Sequence, residues 1–426
     1  MKWKVAGSQL DGTIHIPPSK SHTIRALLIA TLAEGKSIIR NPLLQGDGKS
    51  ALNAAQALGA GIHDTGTMLE IDGIGGNYNL GSGDVYTGNS GTTTNLFTSA
   101  AALGSIRRRF DGDNSLRSRP AKPLLEALTL LGAIYEIESD TGDIPFTIHG
   151  PLKGGATTVD GVSSQFVSSL LFTCPLLSDD TTITVHNPHE KPYIDITLWW
   201  LRSMGIRYEA SSDYTTFFVP GNQRYNSFNR AVPGDFSSAT FPAVTASITG
   251  STLTVDGIDF SDPQGDKEIF TVLQTMGVVI EKNDGSATVR GPRELQGTTI
   301  DLNAMPDSLP AIAVAGCCAK GTTQIVNVAH ARIKECDRIA IITRELRKMG
   351  AQIEEKPDGL KIHHSKLKGT VVDGHGDHRV VMALALAGMV AEGETVITTA
   401  EASQITYPSF AQDFRNIGAV LEEIGE

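Results

Sequence analysis

One pattern recurs six times along the 426 residues of the chain. In each copy an amphipathic helical segment ends at a glycine, and a strand-like run follows, as at Met276-Gly277-Val278. Glycine is a common helix C-cap because it adopts the left-handed conformation at no steric cost. These glycines are Gly59, Gly132, Gly205, Gly277, Gly350 and Gly418. Six in-phase copies, 68 to 73 residues apart, restrict the chain to architectures built from six similar units.

A second marker lies in the first half of each copy, where a polar turn leads into an apolar helix. The turn residues are Ser21, Ser90, Ser163, Ser237, Asp307 and Asp377. A unit with two helices and several short strands is longer than the roughly 20–50 residues of a solenoid repeat. We therefore predict an α/β protein in which compact βαβαββ units form two globular halves of three units each.

The two helices of a unit differ in their hydrophobic pattern. The second helix is amphipathic, as in residues 337–346, and can cover a sheet. The first is apolar on nearly every face, as in residues 380–387, which predicts burial inside each half. If these buried helices run the same way, their positive N-terminal ends converge. Two facing halves would then enclose a cleft suited to an anionic ligand.

Composition excludes several classes of protein. The formal net charge of −11 argues against non-specific nucleic-acid binding. The longest apolar stretches, such as residues 309–319 and 380–390, are shorter than the roughly 18 residues of a membrane span. The first residues do not resemble a signal peptide. The cysteines (Cys174, Cys317, Cys318 and Cys336) lack metal-ligand spacing. We expect a reduced, cytoplasmic protein without structural zinc or membrane attachment.

The first polar turn, residues 19–25, carries two cations at a predicted helix start. Lys20 and Arg25 stand where the helix dipole disfavours positive charge, and Arg25 interrupts an apolar run. Unpaired N–H groups at such a turn suit an anion. We interpret the turn as an anion site; the alternative is a solvated turn with two surface cations.

The remaining turns carry residues with the same chemistry. The loop around Gly91, in residues 88–93, allows close backbone contact with a phosphate or carboxylate, or is a plain helix cap. Residues 163–165 offer hydrogen bonds to hydroxyls or phosphate, and residues 332–338 and 377–379 add clustered charges. Cations that converge with Asp307 and Glu335 suit anionic substrates and acid–base chemistry. A carboxylic acid among cations is a poor acid, so burial has to tune one of the two, and the sequence leaves open which.

Other signals are weaker. Residues 46–50 resemble the end of a nucleotide-binding P-loop, but Leu43 stands where its first glycine belongs. His375 and His378 lack a third ligand at metal-site spacing, so we expect no metal. The run 107–109 of three arginines is typical of a solvated strand face.

Eight stretches together resemble the 5-enolpyruvylshikimate-3-phosphate synthase family over essentially the whole chain. They are residues 18–28, 88–92, 115–120, 163–166, 191–195, 306–307, 332–338 and 377–379. The resemblance implies two inside-out α/β barrel domains, each of three βαβαββ repeats, with the active site in the cleft between them. We place one domain at residues 1–13 with 234–426, and the other at 14–233.

The resemblance also implies a reaction. It is the transfer of the enolpyruvyl (carboxyvinyl) group of phosphoenolpyruvate to the 5-hydroxyl of shikimate-3-phosphate by addition–elimination, with release of phosphate. The pathway implied is chorismate and aromatic amino acid biosynthesis, and no cofactor or metal is implied. We expect a monomer whose partners are these two small molecules, with no nucleic acid or membrane partner.

The implied site residues fall into three groups. Shikimate-3-phosphate would be bound by Ser21, Arg25, Ser163, Ser164, Gln165, Tyr193, Asp307 and Lys334. Phosphoenolpyruvate would be bound by Lys20, Gly91, Arg119, Gln165, Arg338 and Arg379. Asp307 would accept the proton of the 5-hydroxyl, and Glu335, assisted by Lys20 or His378, would protonate the methylene carbon.

Four positions depart from the family pattern. Ile405 and Asn95 stand where the family usually has Lys and Arg, and Glu190 replaces a small Ser. His330 stands where Asn is common, although His also occurs there in relatives. A lost cation would weaken phosphoenolpyruvate binding by about 1–3 kcal/mol, so we expect weak binding of phosphoenolpyruvate and of its competitor glyphosate. Two alternatives remain: the same transfer to another acceptor, as in UDP-N-acetylglucosamine enolpyruvyl transferase, and a non-catalytic descendant that binds phosphorylated ligands.

Overall fold

A computed structural model describes residues 1–425 and confirms the predicted α/β architecture. Across this range the strands form six four-stranded sheets. In each sheet the first strand is parallel to the second, and the third is antiparallel to its neighbours, as in the sheet that begins at Gly155–Asp160. Along the chain, one helix follows the first strand of a repeat and another follows its second strand, as in Gly155–Asp160, Ser164–Thr173, Thr181–His186 and Lys191–Ser203, and two strands follow directly; this is the predicted βαβαββ order.

The chain divides into two compact units. One comprises Pro18–Val232, and the other comprises Met1–Pro17 with the chain from Pro233 onward. The sheets of the first unit, in spatial order, are Asn229–Ala231, Lys36–Arg40, Met68–Asp72, Gly61–Asp64; Asp84–Tyr86, Arg108–Asp111, Phe146–His149, Ile134–Ile137; and Gly155–Asp160, Thr181–His186, Thr216–Val219, Glu209–Ala210. Those of the second are Asp11–His15, Thr252–Asp256, Ser286–Arg290, Val279–Asn283; Thr299–Asp301, Thr322–Val326, Gly359–His363, Gln352–Lys356; and Val371–Asp373, Thr395–Thr398, Lys2–Ala6, Val420–Ile424.

The helices alternate with these strands along the chain. In the unit Pro18–Val232 they are Lys20–Leu32, Asp47–Ala57, Gly91–Ala101, Asn114–Arg117, Lys122–Thr129, Ser164–Thr173 and Lys191–Ser203. In the other unit they are Phe236–Thr249, Ile269–Thr275, Leu309–Cys318, Arg338–Lys348, His378–Val390 and Phe410–Asn416. Short 3₁₀ turns span Cys174–Leu176, Gly265–Glu268, Pro306–Ser308, Ala329–Ile333 and Ala400–Ile405.

Two strands are exchanged relative to chain order. Strand Asp11–His15 leads into helix Lys20–Leu32 of the unit Pro18–Val232. It nevertheless pairs in parallel with Thr252–Asp256, and it belongs to the same unit as that strand. Strand Asn229–Ala231 leads into helix Phe236–Thr249, yet it pairs with Lys36–Arg40. The chain therefore passes from one unit to the other between Pro17 and Pro18, and it returns between Val232 and Pro233. A boundary after residue 13, as placed from the sequence, would divide an intact strand.

The first helix of each repeat lies in the core of its unit. Helix His378–Val390 is buried from His378 through Met389, and it packs against Phe236–Thr249 and Leu309–Cys318. In the other unit Gly91–Ala101 packs against both Lys20–Leu32 and Ser164–Thr173. The sheets lie outside these helices and alternate buried with exposed residues, as in Thr181–His186. Burial on every face explains why the hydrophobic pattern of these helices had no polar side.

The helix starts agree with the predicted polar turns in part. The side chains of Ser90, Ser163 and Asp377 cap their helices as expected, by accepting backbone N–H groups of the first turn. Ser19 and Asp235 cap two others, two residues before the predicted Ser21 and Ser237. These small shifts place the predicted serines inside the first helical turn, where the carbonyl of Ser21 accepts a hydrogen bond from the Arg25 guanidinium.

The arginine run 107–109 is not a solvated face throughout. Arg107 and Arg109 pair with glutamates at the surface, whereas Arg108 is buried. The guanidinium of Arg108 donates to backbone carbonyls of residues 57, 78, 80 and 82. It therefore ties the loop at residues 78–82, which has no strand partner for these carbonyls, to the C-terminal end of helix Asp47–Ala57. Within residues 1–425, none of the helices is both long and apolar enough to cross a membrane.

Candidate active site

A buried arginine organises the polar residues of the unit formed by Met1–Pro17 and the chain from Pro233 onward. Arg338 begins helix Arg338–Lys348, whose cap is Asp337, and its side chain is 1% exposed. Its Nη1 lies 2.7 Å from Asp307 Oδ1, its Nη2 2.7 Å from Glu335 Oε2, and its Nε 2.8 Å from Asp377 Oδ2. We call these four residues with Arg379 the Arg338 cluster. A planar guanidinium can hold several carboxylates at once because its donors form a rigid fork.

Electrostatics keep Arg338 charged. Burial by itself lowers the pKa of a cation, but the charges of Asp377, Glu335 and Asp307 outweigh it and raise the pKa of Arg338 above its ordinary value. A buried charge that is paired and hydrogen-bonded in this way is stable in a core. Arg338 therefore acts first as the fixed point on which these carboxylates are aligned.

Arg379 completes the cluster but retains unused donors. Its Nη2 lies 3.2 Å from Asp307 Oδ2 and 3.7 Å from Asp235 Oδ2. Burial lowers the pKa of Arg379, whereas Asp307 and Asp235 raise it more, so the net shift is upward. Its Nε and Nη1 are buried and have no hydrogen-bond partner within residues 1–425. Buried donors are rarely left unfilled, so these two are suited to an anionic ligand.

The carboxylates of this unit come from the ends of its core helices. Asp235 and Asp377 cap Phe236–Thr249 and His378–Val390, and Asp307 lies in the 3₁₀ turn before Leu309–Cys318. Arg379 contacts Asp235 and Asp307, so the N-terminal ends of these helices converge. The convergence follows from the repeat, because equivalent helices enter the core from the same side.

Exposure divides the cluster into two kinds of carboxylate. The side chains of Asp307 and Glu335 are 13% and 12% exposed, whereas that of Asp377 is fully buried. Asp307 and Glu335 are thus partly accessible to a substrate. Asp377 binds Arg338 and caps helix His378–Val390. His378 is also fully buried, and Lys334 is half-buried beside Glu335.

Asp266 adds a further acidic group to this region. Burial, followed by the charges of Asp307 and Asp235, raises the pKa of Asp266 to about 7, and Arg379 opposes the shift. Several carboxylates close together cannot all be ionised without cost, so the most deeply buried one takes up a proton first. Asp266 was not recognised in the sequence, because nothing in its local pattern marks it.

In the unit Pro18–Val232 the central cation is Arg25. Its side chain is 1% exposed, and Nε, Nη1 and Nη2 each donate at 3.0 Å, to Thr197 Oγ1, Ser21 O and Tyr193 O respectively. Burial lowers the pKa of Arg25 to about 10, and Tyr193 opposes the shift. Arg25 forms no ion pair with a carboxylate in the described part of the chain. This buried cation therefore lacks the compensation that Arg338 has.

Lys20 lies at the start of the same helix. Its Nζ is 3.4 Å from Asp47 Oδ2, and both side chains are largely buried. Asp47 begins helix Asp47–Ala57, in the stretch that resembled a P-loop end. Asp47 is an acidic neighbour of Lys20. Its negative charge in the first turn also interacts favourably with the dipole of its own helix.

The loop with Gly91 is shaped for a neighbouring arginine. A Cβ atom added at Gly91 would lie 3.0 Å from Nη1 of Arg119, so a larger residue there would require the guanidinium to shift by a few tenths of an ångström. Arg119 Nη2 donates to Asn89 Oδ1 and to Ser115 Oγ. Its Nε is buried and has no hydrogen-bond partner among residues 1–425. Arg119 and Gly91 are thus brought together as the sequence predicted.

Gln165 is positioned by the helix next to its own. Its Oε1 accepts from Asn95 Nδ2 at 2.7 Å, and its Nε2 donates to Thr92 Oγ1 at 3.3 Å. Asn95, the residue that departs from the family pattern, therefore fixes the orientation of the Gln165 amide. The other departure in the last repeat, Ile405, packs partly buried against the core of its unit.

The serine pair at helix Ser164–Thr173 has an unexpected neighbour. Ser163 caps the helix by accepting the Gln165 N–H at 3.3 Å. Ser164 donates its Oγ–H, at 3.0 Å, and its N–H, at 3.4 Å, to Oε2 of Glu190. The sequence showed a glutamate at position 190, but it could not show that the side chain points towards Ser164, because that depends on tertiary contacts. Within residues 1–425, no group of three or more His, Cys, Asp and Glu residues could hold a metal ion.

The fold and these sites define a two-unit α/β enzyme of inside-out barrels that handles small anionic molecules. A family model described as EPSP synthase (3-phosphoshikimate 1-carboxyvinyltransferase) matches residues 5–414, and the chain belongs to this family. Enzymes of the family transfer an enolpyruvyl group to shikimate-3-phosphate in aromatic amino acid biosynthesis.

Individual relatives agree with this assignment. The 3-phosphoshikimate 1-carboxyvinyltransferase of Acetivibrio thermocellus is 49% identical over 98% of this chain and 99% of its own length. That of Ruminiclostridium cellulolyticum is 45% identical over 99% of both chains. Among solved structures, EPSP synthase from Acinetobacter baumannii superposes with a TM-score of 0.82 at 25% identity, over 99% of each chain.

Proposed function

We propose that this chain transfers the enolpyruvyl group of phosphoenolpyruvate to the 5-hydroxyl of shikimate-3-phosphate with the residues described above. Shikimate-3-phosphate is held by Ser21, Arg25, Ser163, Ser164, Gln165, Tyr193, Asp307 and Lys334. Phosphoenolpyruvate is held by Lys20, Gly91, Arg119, Gln165, Arg338 and Arg379. The support is that cations and hydroxyls far apart in sequence meet in each unit, with donors of Arg379 and Arg119 left unfilled.

One observation carries the assignment of the acid–base groups. Asp307 and Glu335 are partly accessible, yet each is fixed by Arg338 at 2.7 Å. Asp307 takes the proton of the 5-hydroxyl while that oxygen bonds to C2 of phosphoenolpyruvate, and Glu335 delivers a proton to the methylene carbon. In the elimination the new methyl group returns a proton to Glu335, and the C–O bond to phosphate breaks with release of inorganic phosphate. Lys20, Arg338 and Arg379 stabilise the charge on the phosphate that departs.

His378 is less suited to assist the protonation directly. Its side chain is fully buried, whereas Glu335 is accessible. We therefore assign the proton transfer to Glu335, and we assign to His378 a packing role in the first turn of helix His378–Val390, which also carries Arg379.

The affinity for phosphoenolpyruvate depends on whether its carboxylate and phosphate can replace the protein carboxylates that already bind the arginines. Arg338 is engaged by Asp307, Glu335 and Asp377, so an incoming carboxylate has to compete for it and finds the unfilled donors of the cluster at Nε and Nη1 of Arg379. The apolar Ile405 and the neutral Asn95 supply no additional cation. These features support the prediction that phosphoenolpyruvate and glyphosate bind weakly; submillimolar inhibition by glyphosate at an ordinary KM for phosphoenolpyruvate would contradict it.

The test is release of inorganic phosphate from phosphoenolpyruvate by the purified protein, with each substrate omitted in turn. We expect release that requires shikimate-3-phosphate and that falls by at least about a hundredfold in Asp307→Asn, because a positioned base contributes roughly 10²–10⁴. Asp284→Asn is the matched control, since Asp284 is an exposed residue of a turn in the same unit. Equal activity of both variants would remove Asp307 from the mechanism.

The same assay separates the alternatives. Release with UDP-N-acetylglucosamine in place of shikimate-3-phosphate would indicate another acceptor. Binding of shikimate-3-phosphate by calorimetry without any release would indicate a non-catalytic binder. We also propose that the protein is a cytoplasmic monomer; all four cysteines are free thiols, and sedimentation at micromolar concentration tests the monomer.

A further inference from the structure

Glu190 occupies an unusual position for a glutamate. It immediately precedes helix Lys191–Ser203, where its backbone is left-handed with φ +53°, and its side chain makes no cap bond to that helix. The residue is 1% exposed. Non-glycine residues hold such a conformation where surrounding contacts enforce it, and such residues cluster at functional sites.

The side chain of Glu190 turns instead to the neighbouring helix Ser164–Thr173. Its Oε2 accepts both the Oγ–H and the N–H of Ser164. A hydroxyl and an adjacent backbone N–H at the positive end of a helix are the groups that bind a phosphate oxygen. The carboxyl group of Glu190 therefore occupies the position of an anion at this helix end.

The same donors are assigned to the acceptor's phosphate in the proposed function, on which the present inference rests. Ser163 accepts the N–H of Gln165 with its Oγ and keeps one O–H to donate, whereas Ser164 has two donors, its Oγ–H and its N–H, for a bound anion. A phosphate with close to two negative charges repels a carboxylate at hydrogen-bond distance from the same serine. Glu190 and the substrate phosphate consequently exclude each other.

We propose that Glu190 is a specificity-determining residue that competes with the phosphate group of the acceptor for Ser164. Before shikimate-3-phosphate binds, the glutamate holds the serine donors. Binding requires the carboxylate to leave Ser164, and part of the phosphate's interaction is spent on that displacement. The enzyme therefore discriminates less strongly between shikimate-3-phosphate and unphosphorylated shikimate than a protein with a small residue at position 190.

The test compares wild type with Glu190→Ser, Glu190→Gln and the control Glu209→Ser. Glu209 is an exposed glutamate of the same unit, so its replacement removes an equal charge away from the helix end. Dissociation constants for shikimate-3-phosphate, shikimate and inorganic phosphate are measured by calorimetry. Thermal unfolding of each variant shows whether it is folded.

For Glu190→Ser we expect shikimate-3-phosphate to bind about ten- to a hundredfold more tightly, which is the range for a hydrogen bond to a charged group. Shikimate affinity should change less than threefold in the same variant. Glu190→Gln should show an intermediate gain, because the amide can still accept from Ser164 but carries no charge. Glu209→Ser should match wild type.

Two results would overturn the inference. Equal affinity of wild type and both Glu190 variants for shikimate-3-phosphate would make Glu190 a spectator, and weaker binding by a folded Glu190→Ser would make it a helper of phosphate binding. Calorimetry needs no turnover, so the proposed reaction can fail while this competition is upheld. Conversely, normal turnover together with affinities for shikimate-3-phosphate that the Glu190 variants leave unchanged would reject the competition and leave the proposed reaction standing.

Discussion

Replacing Arg25 by methionine should weaken acceptor binding about ten- to a hundredfold and leave the fold nearly as stable as before. Arg25 is buried beside neutral oxygens, whereas Arg338 is buried among carboxylates. A protein has little structural reason to bury an uncompensated cation, because desolvation opposes it. Arg25→Met therefore tests whether the residue is present for a ligand.

The magnitude follows from the pKa of Arg25 and its contacts. Burial lowers that pKa from 12.5 to about 10, which corresponds to about 3 kcal/mol against the charged form. Since the lowered value still lies well above 8, the cost is constant through neutral pH and is relieved only as pH rises above about 10. Arg25→Met removes this cost and also removes three hydrogen bonds.

Those lost bonds do not leave orphaned acceptors. The carbonyls of Ser21 and Tyr193 lie within helices and keep their helical N–H partners, and the Thr197 hydroxyl still donates to Ser168 Oγ at 2.8 Å. At about 1.5 kcal/mol for each bond, the lower end of the range for a charged donor, the loss exceeds the relief by about 1–2 kcal/mol. We expect the free energy of unfolding to change by less than about 2 kcal/mol.

Urea unfolding at pH 7 and calorimetry with shikimate-3-phosphate provide the assay. Binding should weaken by about ten- to a hundredfold, since one charge-assisted contact is lost. The reasoning would be refuted if Arg25→Met lost 3 kcal/mol or more of stability, or if the folded variant still bound shikimate-3-phosphate as wild type does.

Three further predictions use other parts of the structure. Arg338→Met should cost about 3–5 kcal/mol in urea unfolding, because the carboxylates around it lose their cation; a loss as small as that of Arg25→Met would contradict this. Gly91→Ala should raise the KM for phosphoenolpyruvate and leave the Kd for shikimate-3-phosphate unchanged, because the added Cβ would displace the Arg119 guanidinium; steady-state kinetics checks it. The pKa of Asp266 is raised to about 7, so the folded state binds the extra proton between pH 4 and 7 and stability should fall as pH rises through that window; Asp266→Asn should flatten the melting temperature against pH, and an unchanged profile would assign the effect elsewhere.

Local patterns were sufficient for the architecture. The glycine C-caps and the polar turns are properties of a few neighbouring residues, so the six repeats and their helices could be read from the sequence. Burial of the first helices followed from their lack of a polar face. The cations at Lys20 and Arg25 were recognisable because they oppose the helix dipole.

Tertiary structure alone decided the partners of these elements. Strand Asp11–His15 pairs with a strand more than 200 residues away, and no local preference encodes that exchange. The guanidinium of Arg108 turned inward because loop carbonyls lacked strand partners. Glu190 was visible as a departure, but its bond to Ser164 depends on two helices meeting. Sequence determined which groups stand at each helix end, and packing determined which of them meet, because hydrogen bonds and charge pairing act over a few ångströms in space whatever the separation along the chain.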